Sequence, residues 1–444
     1  FVHSYSSICL KYGSNRQVVL RIGNNNKNQI LKIANDYFDK DNVFDEGKFH
    51  LFEEFLEKAY RVDPEFKCYD DAVNYITEIR DKKNRREYID ENYPNGAFSD
   101  KLDNLLKADL YPYQKEAILF AAKAGRSLLA DDMGLGKTIQ AIGLAEFMKR
   151  EFSIEKVLII CPTSLKYQWK SEIEKFSNNS VMVMEGGLLK REDAYQKESF
   201  FKISSYHIIH NDLKLIKKWQ PDLVILDEAQ KIKNWDTRTA KKAKEIKSSY
   251  ALVLTGTPLE NKLEELYSII SFINPYKLGP LFRFLNAHSI LEGDSTKIVG
   301  YKDLSKINET LSDIMLRRTK SKILKTLPKK TTQYIFVPIT ERQKEIHDED
   351  YETVVRIIHR WIKYKFLSEQ DRQILLLCLN RMRMVCNSTY ILDQKTRHDT
   401  KIDELVKFLQ KHFIKGDDKM IIFSFWERMT RLISQELEKL NIKY

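Results

Sequence analysis

The sequence predicts an α/β protein built around a doubly wound parallel sheet. Between about residues 101 and 274, short apolar runs alternate with segments of helical periodicity, as repeated βα units do. Several runs are continuously apolar, which is typical of parallel strands buried on both faces. The expected strands are Ser127–Ala130, Val157–Cys161, Val181–Met184, Tyr206–Ile209, Leu223–Leu226 and Ala251–Thr255.

The first of these strands leads into a turn with the composition of a phosphate-binding loop. Glycines let backbone N–H groups approach phosphates, and the N-terminus of the following helix favours an anion. A lysine at the end of such a loop reaches the outer phosphates, and the next hydroxyl ligates magnesium. Asp131 stands where the general pattern has glycine, so the flanking strand and helix carry much of this prediction. The predicted ATP contacts in the loop are Met133, Gly134, Leu135, Gly136, Lys137 and Thr138.

Two acids follow the buried run Leu223–Leu226. Asp227 is suited to holding magnesium through water, and Glu228 to orienting or deprotonating the attacking water. A solvated strand end with two acids is the alternative, which the phosphate loop upstream disfavours. Lys137, Asp227 and Glu228 are therefore the predicted catalytic residues, with Thr138 and Asp227 as the magnesium ligands.

The last predicted strand ends in small hydroxyl-bearing residues. Thr255, Gly256 and Thr257 could hydrogen-bond the neighbouring acids and sense the nucleotide state, although Gly and Pro also mark ordinary turns.

Taken together, these motifs resemble the Swi/Snf-type ATPases of helicase superfamily II, which are double-stranded-DNA translocases. The resemblance covers the chain from about Leu110 to its end. It rests on Leu110–Gln114, Asp131–Thr138, Cys161–Leu165 with Trp169, Asp227–Asn234, Leu254–Pro258 with Asn261, Leu316–Lys320 with Leu327 and Pro328, and Lys419–Ser424.

The resemblance implies that Gln114 reads adenine and that an Asp at position 131 is usual. It assigns coupling between ATP and DNA to Gln230, Thr255, Gly256 and Thr257. Gln230 departs from the usual histidine and favours a bacterial member. The DNA contacts that it implies are Thr163, Ser164, Lys166, Lys231, Lys233 and Asn234. Trp169 is expected to pack on a helix and not to stack on a base.

The length of 444 residues predicts roughly two to three domains. We expect a small α+β accessory domain of unknown task at 1–100 and a RecA-like first lobe at 101–280. Helical protrusions and a linker follow at 281–398, and the incomplete start of a second RecA-like lobe at 399–444. The clearest helical patterns are Phe49–Tyr60, Asp70–Arg86, Gln343–Phe366 and Gln370–Val385.

Two side-chain patterns outside the motifs have a plain structural interpretation. An apolar stripe on the first protrusion helix predicts core packing. Its members are Tyr351, Val354, Val355, Ile358 and Ile362. The basic run Lys82–Arg86 is interpreted as a solvated helix end, in preference to a contact with DNA phosphates.

The family's last two motifs, including the arginine that completes the ATP site from the second lobe, do not occur in these 444 residues. We therefore expect either a truncated chain or one whose second lobe is largely missing, with slow turnover by itself. Arg317 or Arg318 would be the first candidates to supply the missing charge if turnover were fast.

The net charge of +11 favours a polyanionic partner, although a generally lysine-rich composition is an alternative. The sequence lacks an apolar stretch of about 20 residues and a secretory signal pattern, so no membrane association is expected. Its five cysteines are scattered without a Cys-x-x-Cys motif, which fits a reducing compartment and disfavours structural zinc. We expect a monomer in the bacterial cytoplasm, associated with the nucleoid, or in the nucleus of a eukaryote.

The sequence thus predicts an ATP- and magnesium-dependent translocase on double-stranded DNA that does not read base sequence. Its target could be a DNA-bound protein complex. Two alternatives stay open, a strand-separating or RNA-directed helicase and a nucleic-acid-binding scaffold with a silent ATP site. Intact Lys137, Thr138, Asp227 and Glu228 argue against the scaffold.

Overall fold

The computed structural model describes residues 4–11, 16–256, 262–292, 298–323, 331–413 and 419–444. The chain divides into two compact units, Phe1–Leu327 and Pro328–Tyr444. The strands of the first unit are β1 Ser7–Lys11, β2 Gln17–Arg21, β3 Lys67–Cys68, β4 Arg126–Leu129, β5 Val157–Cys161, β6 Val181–Val183, β7 Phe201–Ser205, β8 Leu223–Leu226, β9 Tyr250–Leu254, β10 Ser289–Leu291, β11 Ile298–Tyr301 and β12 Met315–Leu316. Its helices are α1 Lys27–Ala34, α2 Phe52–Val62, α3 Asp70–Asn92, α4 Pro112–Ala124, α5 Lys137–Phe152, α6 Lys166–Phe176, α7 Leu188–Gln196, α8 Ile209–Trp219, α9 Arg238–Lys244, α10 Leu263–Ile273, α11 Leu281–His288, α12 Leu304–Leu311 and α13 Lys320–Ile323.

A seven-stranded parallel sheet organises the first unit, in the order β12-β4-β9-β8-β5-β7-β6. Successive residues of a strand point to opposite faces, so each face builds its own core. Leu129 and Ile159 belong to one core, whereas Leu128 and Leu158 belong to the other. The predicted doubly wound α/β fold is confirmed, and all strand C-termini meet at one edge.

Five of the six predicted strands are present, but the prediction of Tyr206–Ile209 is wrong. The strand in that place is β7, five residues earlier, and Tyr206 instead belongs to the turn before α8. The cause is that β7 reads Phe-Lys-Ile-Ser-Ser, in which Ser204, Ser205 and Lys202 are polar although they are buried. Lys202 is fully buried. Its Nζ donates to the carbonyls of Ala194, Tyr195 and Lys197 at 2.7–3.0 Å, at the C-terminal end of α7. These carbonyls are among those that a helix leaves without intrahelical partners.

The N-terminal region has the predicted α+β composition, with the sheet order β2-β1-β3. Its core is rich in aromatic rings, among them Phe44 and Phe55 with centroids 5.9 Å apart. The predicted boundary at residue 100 does not separate two cores, because α3 belongs to both. Ile76 packs in the N-terminal core and Ile89 in the core of the large sheet.

The basic run Lys82–Arg86 lies inside α3, which continues to Asn92, so its interpretation as a solvated helix end is wrong. The Arg85 guanidinium donates to the carbonyl of Ala122 at 2.9 Å and to that of Ala124 at 3.2 Å. Lys82 Nζ lies 2.8 Å from an Asp313 carboxylate oxygen. Two of the five residues therefore dock α3 onto the large sheet's domain.

The helices of the second unit are α14 Glu341–Tyr364, α15 Glu369–Val385, α16 Tyr390–Asp393, α17 Lys401–Phe413 and α18 Glu427–Lys439. Both predicted protrusion helices are confirmed as α14 and α15. The apolar stripe on α14 is only partly buried: Val354 is buried with Ile357, whereas Tyr351 and Ile362 are each 53% exposed. Periodicity identified the helix correctly but did not identify its covered face.

The segment Lys419–Ser424, predicted as the first strand of a second lobe, has irregular backbone in the structure. The described residues of this unit include no strand with which it could pair, and an unpaired strand lacks the hydrogen bonds that stabilise one. The first unit ends inside the predicted segment 281–398, because α12 and β12 pack with the large sheet. Within the described ranges, none of the helices has the length and apolarity needed to cross a bilayer.

Candidate nucleotide and nucleic-acid site

The loop between β4 and α5 has the backbone of an anion-binding turn. Gly134 and Gly136 adopt φ angles of 86° and 76°, which favour glycine. A Cβ on Gly136 would lie 2.7 Å from the Gln114 side-chain nitrogen, so the space beside the loop also requires glycine. Helix α5 begins directly after it, and its first N–H groups have no intrahelical acceptors. These donors are suited to phosphate oxygens.

Lys137 lies folded over this loop. Its Nζ donates to the backbone carbonyl of Asp131 at 2.7 Å and to that of Asp132 at 3.3 Å. Burial lowers the pKa of Lys137, while the charges of Glu228, Asp131 and Asp227 oppose that shift. The ammonium therefore lies between the phosphate loop and the two acids, where a nucleotide's outer phosphates could replace its carbonyl partners.

Asp227 and Glu228 follow β8 directly. Asp227 Oδ2 accepts a hydrogen bond from the Trp169 indole Nε1 at 2.8 Å, and Oδ1 accepts one from the Glu228 backbone N–H at 2.9 Å. Burial raises the pKa of Asp227, and the hydrogen bond from Trp169 opposes the rise. Glu228 has a φ of 50°, which is uncommon for a residue with a side chain and is the kind of backbone outlier found at functional sites.

The donors near the loop fit a magnesium ion that is also held by phosphates. Each Asp227 carboxylate oxygen accepts a hydrogen bond and retains lone-pair capacity, and Thr138 offers a hydroxyl at the start of α5. Among the described residues, no group of three or more His, Cys, Asp or Glu side chains is placed to hold a metal. This donor set suits magnesium, which commonly combines one or two carboxylates with water and substrate phosphates.

The third predicted motif contacts the same loop. Thr255 is buried at the end of β9, and its N–H donates to the Leu129 carbonyl at 3.2 Å. A Cβ on Gly256 would lie 3.3 Å from Met133 Cγ and 3.7 Å from Lys137 Nζ, so Gly256 packs closely against the phosphate loop. Thr257 lies outside the described residues. The coupling roles of Thr255, Gly256 and Gln230 stay predictions.

The turn predicted to read adenine lies beside the phosphate loop. Gln114 is buried in the first turn of α4, and its Oε1 accepts a hydrogen bond from the Tyr111 N–H at 3.0 Å. The Tyr111 and Tyr113 rings are stacked with centroids 5.7 Å apart, and Tyr111 is 63% exposed. The role of Gln114 in reading adenine stays a prediction.

Some of the side chains predicted to contact DNA are exposed to solvent, and others are bound by groups of the protein itself. Thr163 and Ser164 are exposed in a single helical turn after β5, and Lys231 and Asn234 are exposed after the acids. Because β5 and β8 are neighbouring parallel strands, both groups lie at the same edge of the sheet. Surface hydroxyls and cations there are suited to phosphate contacts that position DNA without reading its sequence.

The two other lysines are held by protein groups. Lys233 Nζ lies 3.3 Å from a Glu265 carboxylate oxygen. Lys166 is buried, and its Nζ donates to the Met184 carbonyl at 3.2 Å. A DNA contact by Lys166 would require its ammonium to leave this internal partner, so its position indicates a structural role.

The sequence profile of the SNF2-related domain matches residues 112–391, which is more than half of the chain. The chain belongs to the SNF2-related family. It is 31% identical over 347 residues to an uncharacterized ATP-dependent helicase of Mycoplasma pneumoniae, covering 75% of this chain and 32% of that protein. It is 29% identical over 358 residues to a putative ATP-dependent helicase/translocase of Bacillus subtilis, covering 76% and 38%. The chain thus spans about a third of the length of these relatives.

A solved structure, the Sulfolobus solfataricus SWI2/SNF2 ATPase core in complex with dsDNA, is also similar. It shares 28% identity, with a TM-score of 0.47 and coverage of 76% of this chain and 71% of that one.

Two residues of this SNF2-related chain have site contacts that the sequence did not indicate. Trp169 is 1% exposed, so the prediction that it packs is confirmed, but its indole also binds the Asp227 carboxylate. Arg318, predicted as part of the motif Leu316–Lys320 and as a candidate source of missing charge, instead binds Asp131 and the Tyr113 carbonyl. Asp131 departs from the general phosphate-loop pattern, but nothing local in the sequence indicates its partner 187 residues away.

Proposed function

We propose that the chain is the ATP-hydrolysing part of a translocase that moves on double-stranded DNA. The observation that carries the proposal is the convergence of Lys137, Asp227 and Glu228 at one edge of a parallel sheet. Lys137 and the N–H groups of α5 would bind the phosphates, and Thr138 with Asp227 would hold magnesium. Magnesium in such a site neutralises phosphate charge as the bond breaks.

Within this scheme, Glu228 is the residue that acts on water. Glu228 follows Asp227 in the chain, and its negative charge opposes the lowering of the Lys137 pKa by burial. A carboxylate beside the outer phosphate can orient the attacking water and accept its proton. The adenine would lie against Tyr111 and Gln114, so that base and phosphates are held by neighbouring segments of one lobe.

The proposed DNA partner is duplex, bound through its phosphates and without sequence selectivity. The net charge of +11 supports a polyanion, and exposed Thr163, Ser164, Lys231 and Asn234 lie at the nucleotide edge of the sheet. Hydrolysis and DNA contact at one edge allow a change at the phosphates to reach the DNA over a short distance. We propose a monomer that remodels a DNA-bound protein complex in the bacterial cytoplasm, at the nucleoid.

The decisive experiment measures phosphate release by the full-length protein with duplex DNA, single-stranded DNA or RNA. Duplex should stimulate most, and stimulation should fall steeply with salt because counterions are released on binding. Lys137→Ala provides the background rate. Greater stimulation by RNA would favour the RNA-directed helicase, unwinding of a forked duplex would favour a strand-separating one, and DNA binding without turnover would favour the silent scaffold.

A further inference from the structure

Arg318 lies where the edge strand of the large sheet meets the phosphate loop. The backbone of 314–318 runs beside 128–132, with hydrogen bonds from the Leu128 N–H to Ile314, from Ala130 to Leu316 and from Asp132 to Arg318 at 2.7–3.0 Å. This ladder continues beyond β4 and includes the first residues of the loop. The segment 314–318 therefore fixes the entry of the phosphate loop.

The Arg318 side chain also binds the entry of the phosphate loop, through the carboxylate of Asp131. Its Nη2 lies 2.5 Å from Asp131 Oδ2, and its Nε lies 3.1 Å from Oδ1. The guanidinium therefore donates to both oxygens of a fully buried carboxylate. Gln140 Nε2 is the other side-chain donor to Asp131, at 3.3 Å. Removing the cation would leave a buried carboxylate without a counter-charge, which is a costly change.

The same guanidinium also reaches the turn that is predicted to read adenine, Tyr111–Gln114, called the adenine turn below. Its Nη1 donates to the Tyr113 carbonyl at 2.6 Å, and the group lies 5.5 Å from the centre of the Tyr113 ring. A carboxylate oxygen of Glu116, on the same helix α4, is 3.5 Å from Nη1. One side chain thus joins the segment that would hold the base to the loop that would hold the phosphates.

We propose that Arg318 is a positioning residue for nucleotide binding, which holds the phosphate loop and the adenine turn in their bound arrangement. The proposal rests on the proposed ATP site and adds a residue that does not touch the reacting atoms. The carbonyls of Asp131 and Asp132 are the acceptors of Lys137 Nζ, so a shift of the loop entry changes where that ammonium lies. An unpaired Asp131 carboxylate would also attract Lys137 and compete with phosphate for it.

The first test compares Arg318→Gln with Arg283→Gln, an exposed arginine on α11 of the same unit, in the full-length protein. Binding of fluorescent ADP is measured at equilibrium, and KM for ATP and kcat are measured with saturating duplex DNA. Arg318→Gln should raise Kd and KM by about tenfold or more, since a charge-assisted hydrogen bond contributes about 1.5–3 kcal/mol. kcat at saturating ATP should change less, and Arg283→Gln should match wild type.

A general loss of fold would lower kcat per molecule and the melting temperature without raising KM, which would overturn the proposal. Wild-type affinity in Arg318→Gln would also overturn it, whereas failure of the wild-type protein to bind nucleotide would refute the ATP site itself. If Arg318→Gln does not fold, the Kd of Arg318→Lys is measured instead, because lysine keeps the positive charge but lacks the forked donors of arginine. An intermediate Kd is expected there, and an unchanged Kd would overturn the proposal.

The double variant Asp131→Asn/Arg318→Gln tests the pairing. Asp131→Asn removes the negative charge that Arg318→Gln leaves unpaired. The double variant should therefore bind ADP more tightly than Arg318→Gln alone. If the two substitutions instead weaken binding independently, the pair does not position the loop.

Discussion

Replacing Trp169 by Phe should weaken magnesium-dependent nucleotide binding through Asp227, although Trp169 lies in the protein core. The substitution retains an aromatic ring but removes the indole donor that lies 2.8 Å from Asp227 Oδ2. A hydrogen bond to a charged group contributes about 1.5–3 kcal/mol. At the lower value, its loss raises the pKa of Asp227 by about one unit, since one unit corresponds to about 1.4 kcal/mol.

The sign of the pH dependence follows from the state that binds magnesium. Burial already holds the pKa of Asp227 above its ordinary value, and only the ionised carboxylate is a ligand. Magnesium-dependent binding should therefore be complete at higher pH and be lost as the pH falls through that raised pKa. In Trp169→Phe the loss should begin about one pH unit higher.

Stability of the nucleotide-free protein should respond in the opposite direction. A carboxyl whose pKa is higher in the folded than in the unfolded state binds more protons when folded. Between its ordinary pKa and the raised one, acidification therefore favours the folded state at this residue. Trp169→Phe should widen that window, because the folded-state pKa rises further.

The assay is a magnesium titration of fluorescent ATP binding at a series of pH values that runs from neutral down into the acid range, until binding by the wild-type protein is lost. Trp219→Phe is the matched control, because Trp219 is a partly buried tryptophan in the same lobe whose ring lies 4.6 Å from Lys202 Nζ. The control should keep the wild-type midpoint. An unchanged midpoint and magnesium affinity in Trp169→Phe would refute the role assigned to the indole.

Three further outcomes are expected. Lys137→Ala should abolish DNA-stimulated phosphate release, because it removes the ammonium that lies over the phosphate loop. Glu228→Gln should bind ATP and magnesium but not turn over, whereas Asp227→Asn should also lose magnesium-dependent binding; identical titrations for the two would contradict their separate roles. Lys202→Met should lower the free energy of unfolding by about 1–3 kcal/mol in a urea titration, because three helix-end carbonyls lose their donor.

The sequence predicted the sheet and the motif positions because both are encoded locally. Continuous apolar runs located β5 and β8 to the residue, and the phosphate loop and acids are each contained within a few positions. Where buried polar residues violated the local pattern, as Lys202, Ser204 and Ser205 do in β7, the prediction moved to the wrong segment. A buried lysine is recognisable only when its three carbonyl partners are known.

Long-range pairs mark the other limit of the sequence. Trp169 and Asp227 are 58 positions apart, and Asp131 and Arg318 are 187 apart. Composition and periodicity carry no information on which of many arginines or tryptophans reaches a given acid. The same holds for Lys419–Ser424, whose apolar composition favours a strand although its backbone is irregular without a pairing strand.

The two long-range pairs explain how similar acids at the ends of two strands of one sheet acquire different tasks. Asp131 follows β4 and has its charge cancelled by a guanidinium, which leaves little attraction for a metal and fixes the loop. Asp227 follows β8, and its two oxygens accept hydrogen bonds from neutral donors, an indole and a backbone N–H. Its charge is therefore oriented but not cancelled, which is the state that a magnesium ligand requires. The chemical difference between the two acids lies mainly in their partners, since both are aspartates at the same edge of one sheet, Asp131 fully buried and Asp227 partly buried.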